Sequence, residues 1–433
     1  MKKLILLPIL LLALFASCKK DPVKPIDSGL TDAMARDTVY YIMKDYYYWY
    51  NLMPTVTKEN YQTPYDILEA MRYKTLDRWS YILTGDEYNA QVNGTFVGHG
   101  FRIGLDALGN ARIAMIYYNS PLYAAGVRRG WIVEKINGVD LAPILLRNDG
   151  VAYNTLIQPS TAGITNIFLF KKPDGTETTI SSTKAQFAIN TVLAYDTLHL
   201  ASGVTGHLVF EEFFPPATDE LATAFAYFKA NNIKDLILDL RYNSGGYLDI
   251  AQTLASYIAG DSKAGTIFAK LSYNDKHPED NISILFKTTA SSLGMTRMAV
   301  ITSRSTASAS EDVINGLKPF VNIVTIGDTT NGKPTGMNGW DIGKVHKYYV
   351  FPVTFKVVNS LEQGEFFDGF FPSKVLADDI AHDWSDRNEA CLKEAIHYME
   401  TGSVSTKGVS SFKRYPQFSE KPEWMNNAIV MHK

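Results

Sequence analysis

The chain has 433 residues, of which 46% are hydrophobic and 20% are charged. This composition is enough for several buried cores and excludes a disordered or fibrous protein. Its 42 Lys and Arg against 45 Asp and Glu leave a net charge of −3, which provides no basic field for nucleic acid, so none is expected as a partner. The cysteines, Cys18 and Cys391, are too few for a disulfide framework or a cysteine-based zinc site.

The first residues have the pattern of an export signal. Two lysines precede an apolar run from Leu4 to Phe15, which is too short to span the ~30 Å hydrocarbon core of a membrane. Small residues then lead to Cys18, and this ending resembles the lipobox of bacterial lipoproteins, although Phe15 stands where leucine is commoner.

The lipobox resemblance implies that residues 1–18 are a signal peptide and that a lipidated Cys18 is the mature N-terminus. Acyl chains there would anchor the protein in the bacterial cell envelope, in the periplasm or at the outer membrane. The alternative is an ordinary cleaved signal with an incidental cysteine. Residues 19–29, with two prolines and several charges, are expected to be a tether.

A small helical domain is predicted over residues 30–95. Apolar residues recur at helical spacing from Leu30 to Asn51, and Thr63 followed by proline is typical of the start of a second helix, which would end near Tyr73. The aromatic run Tyr46–Tyr50 is interpreted as core packing rather than as a ligand platform.

Residues 96–187 change to short strands and turns. The predicted elements are strands over 101–105 and 111–118, a short helix from Ser120-Pro121 to Gly126, a strand over 131–136 and a hairpin turning at Pro173–Gly175.

This second segment resembles a PDZ domain. The similar residues are Gly98–Phe101, which match that family's carboxylate-binding loop, and the later runs Ser120–Val127, Gly130–Val133 and Ile136–Gly138. The resemblance implies a peptide-binding loop made of Gly98, His99, Gly100 and Phe101. Backbone N–H groups in such a turn can bind a terminal carboxylate, while the adjacent strand edge accepts an extended peptide. The alternative is a β-module without a ligand, and His99 is interpreted as a solvated loop histidine.

Strands and helices alternate through residues 188–405. Strands are predicted over 207–210, 235–240, 298–302 and 322–326, and helices over 218–230, 247–258, from Ala309, and over 382–401. Unbroken apolar strands alternating with helices predict an α/β domain with a mixed, substantially parallel sheet and flanking helices. Cys391 is expected in the last helix as a buried, inert thiol. The residues from Gly402 onward, which include the tail 406–433, are expected to be loosely ordered.

Three loops of this domain carry candidate chemistry. In Asp239–Gly246 a buried strand breaks into a glycine pair before a helix, which exposes N–H groups where negative charge is stabilised. In Thr306–Glu311 small residues flank Ser308, which would let a substrate approach. Taken alone, Ser308 and Glu311 match a helix-capping box.

The third loop, Gly327–Thr335, places Lys333 among glycines after a buried strand. It is close to a phosphate-binding P-loop, G-x-x-x-x-G-K-[ST]. Pro334 stands where that motif needs a hydroxyl for magnesium, and it has no N–H for phosphate, so nucleotide binding is not favoured.

Together the three loops resemble the S41 family of serine peptidases, the carboxyl-terminal processing proteases. The family's pattern is a strand that ends in D-L-R-x-N-x-G-G, then S-A-S-A-S-E, then G-K, and here Thr306 takes the place of the first serine of the second motif. The resemblance implies that Ser308 is the nucleophile, that Lys333, 25 residues later, is the general base, and that N–H groups of Ala309 and of Gly245 or Gly246 bind the oxyanion. It implies no metal and no cofactor, and peptide or protein substrates with free C-termini.

A lysine base must lose its proton at working pH. Because the reference pKa of lysine is about 10.4, Lys333 has to be desolvated and without a carboxylate partner. Asp328 would hold the proton if it faced Lys333. Met337 stands where the family often has a glutamine that orients the lysine, and Asn338 or Asp341 could replace it.

The sequence therefore predicts a lipid-anchored serine endopeptidase with a Ser-Lys dyad, rather than a Ser-His triad. The alternative from another functional class is a catalytically inactive envelope lipoprotein that binds peptides through its PDZ-like domain, since Met337 leaves the lysine without its usual partner.

Overall fold

A computed structural model describes residues 29–343, 347–406, 411–422 and 430–431. The predicted signal peptide with Cys18 and nearly all of the tether lie outside the described residues. Within the described ranges, no helix has the length and apolarity that crossing a membrane requires.

The N-terminal region contains three α-helices and one strand. Its elements are α1 (Asp32–Tyr46), α2 (Pro64–Met71), β1 (Tyr81–Thr84) and α3 (Gly85–Val92). Thr63 caps α2, because its side chain accepts a hydrogen bond from the Asp66 N–H, with proline at the first helical position. Tyr47 and Trp49 are buried, so these members of the aromatic run are core residues.

The next region is an antiparallel β-structure with its own core. Its elements are β2 (Thr95–Gly98), β3 (Phe101–Leu105), β4 (Ala111–Ile116), α4 (Pro121–Ala124), β5 (Ile132–Ile136), β6 (Val139–Asp140), α5 (Ala142–Leu146), α6 (Gly150–Ile157), β7 (Thr165–Lys171), β8 (Glu177–Thr183) and β9 (Ala185–Ala188). Strands β3, β4, β5, β7 and β8 are neighbours in that order, and β2 pairs with β9.

The remainder is a mixed α/β domain. Its elements are β10 (Val192–Leu200), β11 (Gly203–Phe210), α7 (Ala217–Ala230), β12 (Asp235–Asp239), α8 (Leu248–Ala259), β13 (Ile267–Tyr273), β14 (Ile282–Leu285), β15 (Arg297–Thr302), α9 (Ala309–Leu317), β16 (Asn322–Gly327), β17 (Thr335–Asn338), β18 (Trp340–Ile342), β19 (Tyr348–Phe351), β20 (Val353–Val358), β21 (Lys374–Val375), α10 (Ala390–Thr401), β22 (Phe418–Ser419) and β23 (Val430–Met431).

The main sheet has the strand order β10-β11-β12-β15-β16-β21. Only β10 runs antiparallel to its neighbour, and all the other pairs are parallel, which confirms the predicted mixed α/β class. Since β12, β15 and β16 are parallel neighbours, their carboxyl ends meet at one edge of the sheet. The three loops singled out in the sequence follow these strand ends.

Two further sheets contain strands of this domain. One has the order β14-β13-β20-β17-β23, so β17, which follows Lys333, lies inside a sheet rather than in a loop. The other joins β1 of the N-terminal region to β19 and β18. The N-terminal region is therefore tied by strand pairing to the domain that holds the candidate site.

The C-terminal part differs from the prediction in two ways. Helix α10 begins at Ala390 instead of near His382, because the Glu389 side chain caps it by accepting from the Leu392 N–H. Cys391 is buried within it, as expected. The tail is not loosely ordered over 411–422, since β22 pairs with β3 of the β-rich region.

Candidate active site

Ser308 lies at the N-terminal end of α9 with φ 66° and ψ −123°. A non-glycine residue with positive φ is strained, and such strain is often found at functional positions. The side chain is completely buried, and its Oγ forms no hydrogen bond within the described structure. The expectation of an accessible serine is therefore wrong for this conformation, and the hydroxyl is not spent on capping the helix.

The Glu311 carboxylate connects the loops of Ser308 and Lys333. Its Oε2 accepts from the N–H of Ser308 at 2.9 Å and from the N–H of Lys333 at 2.8 Å. Its Oε1 accepts from the N–H of Gly332 at 2.7 Å and from the Thr330 hydroxyl at 2.5 Å. Both backbone segments thus share one buried acceptor, so the serine and the lysine lie side by side.

The Glu311→Gln variant should be destabilised by about 2–4 kcal/mol, because an amide nitrogen cannot accept and buried N–H groups would lose their partner. Urea unfolding measures this change. The matched control is Glu365→Gln, whose carboxylate pairs with Lys356 at an exposed position and should change stability by less than about 0.5 kcal/mol. Equal stability of the two variants would contradict the bridging role of Glu311.

Lys333 is 2% exposed. Burial lowers its pKa to about 7, although the carboxylates of Asp77, Asp312 and Glu311 act in the opposite direction. Desolvation of the ammonium therefore outweighs the effect of these three acids on the pKa of Lys333. An amine with such a pKa is substantially neutral at physiological pH, as a general base requires.

Asp328 does not hold the proton of Lys333. Its carboxylate is bound by the guanidinium of Arg414, with an Nη2–Oδ1 distance of 2.6 Å, and this contact helps to lower the pKa of Asp328. The residue that follows β16 therefore faces the C-terminal segment, and the anticipated ion pair that would disable the base is absent from the described contacts.

The residues considered for the orientation of Lys333 differ in their surroundings, and a further acid, Asp312, acts on this lysine. Met337 is buried in the core, Asn338 exchanges hydrogen bonds with Thr354, and Asp341 is exposed. Asp312 is 1% exposed, neither of its carboxylate oxygens has a hydrogen-bond partner in the described structure, and its charge acts on Lys333. No role for Asp312 is predicted from the sequence, where it is one of several polar residues of α9.

The glycine pair lies directly against the serine. An added Cβ on Gly245, whose φ is 108°, would be 2.7 Å from Ser308 Cβ and 3.1 Å from Ala309 N, so only glycine fits. The Gly245 N–H is already bound to Asn243 Oδ1 at 2.9 Å. The N–H groups of Gly246 and Ala309 donate no hydrogen bond within the described chain, and these two are the donors available to an oxyanion.

Asn243 holds the glycine loop and the serine loop together. Its carbonyl oxygen accepts from the Ala307 N–H at 3.1 Å and from Ser310 Oγ at 3.1 Å. Its side chain donates to the Phe210 carbonyl oxygen at the end of β11 at 3.1 Å. The loop of Ser308 and the glycine loop are therefore held at the ends of strands of the main sheet, and regular secondary structure is a favourable support for a catalytic site.

The predicted peptide-binding loop, Gly98–Phe101, is occupied by a side chain of this chain. The N–H groups of His99 and Gly100 donate to Glu420 Oε2 at 2.8 and 2.9 Å. Gly98 is buried beside the same carboxylate, and Phe101 begins β3 as a buried core residue. The loop thus binds a carboxylate, and that carboxylate belongs to this chain.

His99 is not a solvated histidine. Its side chain is completely buried, with Nδ1 2.8 Å from Ser182 Oγ and Nε2 2.8 Å from Asn166 Oδ1. Burial lowers its pKa to about 4, so the ring is neutral at physiological pH and serves to fix the loop.

The site has the parts of a nucleophilic hydrolase: a serine without another hydrogen-bond role, a buried lysine with a lowered pKa, and free N–H donors next to the serine. In the part of the chain that the structure describes, no cluster of three or more histidine, cysteine or acidic side chains has the arrangement of a metal site.

Two parts of the chain match models of known protein families. Residues 204–362 match the family model for peptidase family S41, and residues 34–81 match the model for the peptidase S41 N-terminal domain. A crystal structure from Bacteroides fragilis, assigned to the S41 proteases, shares the fold, with a TM-score of 0.71 and 24% identity over 84% of this chain and 96% of that one.

Curated relatives include carboxy-terminal processing protease CtpB of Bacillus subtilis, 24% identical over 58% of this chain and 50% of CtpB. The "Probable CtpA-like serine protease" of Staphylococcus saprophyticus is 25% identical over 71% of this chain and 58% of that protein. The chain thus spans between half and three fifths of the length of these relatives. Two segments of the chain, residues 34–81 and 204–362, are thus similar to domains of peptidase family S41.

Proposed function

We propose that this protein is a serine endopeptidase that cleaves exported proteins through Ser308, with Lys333 as the general base. The observation that carries the proposal is the shared Glu311 oxygen, which binds the N–H of both residues. The lowered pKa of Lys333 supports the same assignment, since it makes a neutral amine available beside the serine.

In the proposed reaction, Lys333 Nζ takes the hydroxyl proton as Ser308 Oγ attacks the scissile carbonyl carbon. The N–H groups of Ala309 and Gly246 bind the developing oxyanion. The lysine then returns the proton to the leaving amine, which gives an acyl-enzyme, and water hydrolyses this ester with the lysine again as base. Because Ser308 is buried here, substrate binding must first open the site.

Substrate selection is proposed to reside in the PDZ-like region over 96–187. The N–H groups of His99 and Gly100 converge on one carboxylate oxygen, and β3 presents an edge on which a strand can pair. Free C-termini are therefore the proposed recognition element. Lipidation of Cys18 is proposed to keep the enzyme in the cell envelope, and release of a Cys18→Ser variant from membranes tests the anchor.

An inactive peptide-binding protein is the second candidate, and complete burial of Ser308 is the observation that favours it. Treatment with a fluorophosphonate followed by peptide mapping separates the two functions. If the protein is a peptidase, the fluorophosphonate should form one adduct, on Ser308, and it should form none in a Ser308→Ala chain. A folded protein that stays unlabelled at Ser308 would support the binding protein instead.

A further inference from the structure

The C-terminal segment 411–422 lies on the β-rich region as an added strand. Within it, β22 pairs antiparallel with β3, with Phe418 opposite Ile103 and Ser419 opposite Arg102. The Phe418 ring packs on Tyr153, with centroids 4.8 Å apart. Strand addition at a sheet edge, with a side chain in a neighbouring pocket, is how extended peptides are recognised.

The carboxylate that follows this strand is held as a terminal carboxylate would be. Glu420 Oε2 accepts from the N–H groups of His99 and Gly100, and Oε1 lies 3.4 Å from Lys184 Nζ. Glu420 is 7% and Lys184 1% exposed. A carboxylate bound by two N–H donors, with an ammonium beside its other oxygen, therefore occupies the glycine loop.

The segment is also fastened to the α/β domain. The Lys421 ammonium is buried against Glu211, at 3.1 Å, and against Glu212, whose carboxylate accepts from Ser244 Oγ at 3.1 Å. Ser244 precedes the glycine pair beside the nucleophile. The same twelve residues therefore contact both the peptide-binding loop and the loop next to the site.

We propose that residues 411–422 are the resident peptide ligand of the groove beside β3, with the Glu420 side chain in the position of a bound C-terminal carboxylate. External peptides must displace this segment to bind. Because the segment is covalently attached, its effective concentration is high, and it competes strongly with free peptides. The proposal rests on the proposed peptide-binding function of this groove.

The test measures binding, so it does not depend on hydrolysis. A fluorescent synthetic peptide with the sequence of residues 411–422 is titrated, by anisotropy, into full-length chains that carry Ser308→Ala. The chain with the wild-type tail should bind the added peptide weakly. The chain that also carries Glu420→Gln should bind it at least about tenfold more tightly, because its own tail loses the charge-assisted hydrogen bonds that hold it in the groove. Glu177→Gln, at an exposed position of β8, is the matched control and should behave as wild type.

A second variant covers the case in which Glu420→Gln does not fold. This variant carries two new cysteines, Arg102→Cys and Ser419→Cys, in a chain that also has Cys18→Ser. The two new thiols lie opposite each other on paired strands, within reach of a disulfide. The oxidised chain should lose detectable peptide binding, and reduction should restore it. The proposal would be overturned if the wild-type and Glu420→Gln chains bound the peptide equally well, or if the oxidised and reduced chains did so. It would also be overturned if none of the chains bound the peptide. Absence of peptidase activity would leave these binding results unaffected.

Discussion

Replacement of Ser308 by alanine is expected to lower peptide hydrolysis by roughly 10⁴-fold or more, because the nucleophile is lost while the rest of the site remains. The structure also predicts what the change does to stability. Since Ser308 Oγ is buried without a hydrogen-bond partner, its removal should alter the free energy of unfolding by less than about 0.5 kcal/mol. Initial rates on a peptide substrate and urea unfolding measure the two effects.

Two further serine variants sharpen this test. Ser308→Gly should be equally inactive and more stable by about 1 kcal/mol, since glycine relieves the strain of a positive φ. Ser305→Ala, three residues earlier on the same loop, should retain normal activity. A folded Ser308→Ala protein that still hydrolyses the peptide would remove the nucleophile assignment.

Replacement of Lys333 is expected to have an effect of the same order. Lys333→Arg should be nearly as inactive as Lys333→Ala, because a guanidinium keeps its proton at any working pH. Lys333→Met should also be inactive, but it should be more stable than the wild type at neutral pH, since methionine places no ionisable group at this buried position. Comparing kcat/KM and the urea midpoint of these variants separates loss of the base from loss of packing, and an active Lys333→Arg enzyme would contradict the dyad.

The pH dependence of stability follows from the same lysine. Its pKa is about 7 in the folded protein and about 10.4 in the unfolded chain, so the unfolded chain binds more protons between these values. Stability of the wild type should therefore fall as pH decreases from about 10 to 7. Lys333→Met should lack this contribution, and urea midpoints across that range measure the difference.

The sequence was sufficient to predict the elements that position the site. Apolar strands ending in Asp239-Leu240, Thr302-Ser303 and Gly327-Asp328 predict parallel neighbours, and parallel neighbours bring their carboxyl ends together. The local cap pattern at Ser308 likewise predicted the start of α9. These features depend on short-range sequence patterns and on the rule that the carboxyl ends of neighbouring parallel strands lie at the same edge of a sheet.

Contacts between distant segments could not be predicted in this way. Glu420 reaches Gly100 across 320 positions, and Asp77 acts on Lys333 from another region of the chain. The burial of His99 depends on partners in β7 and β8. In each case the decisive partner is a single polar side chain without a periodic pattern, and only the folded chain shows which group it meets.

The most direct test of the Ser-Lys assignment is kcat/KM of the wild-type enzyme measured from pH 5 to pH 10 on one peptide. If neutral Lys333 is the base, kcat/KM should rise with pH through a single ionisation near the lowered lysine pKa of about 7 and then stay level. Lys333→Ala should lack this ionisation and remain at background. Near-normal activity of Lys333→Ala, with the same ionisation as the wild type, would contradict the account.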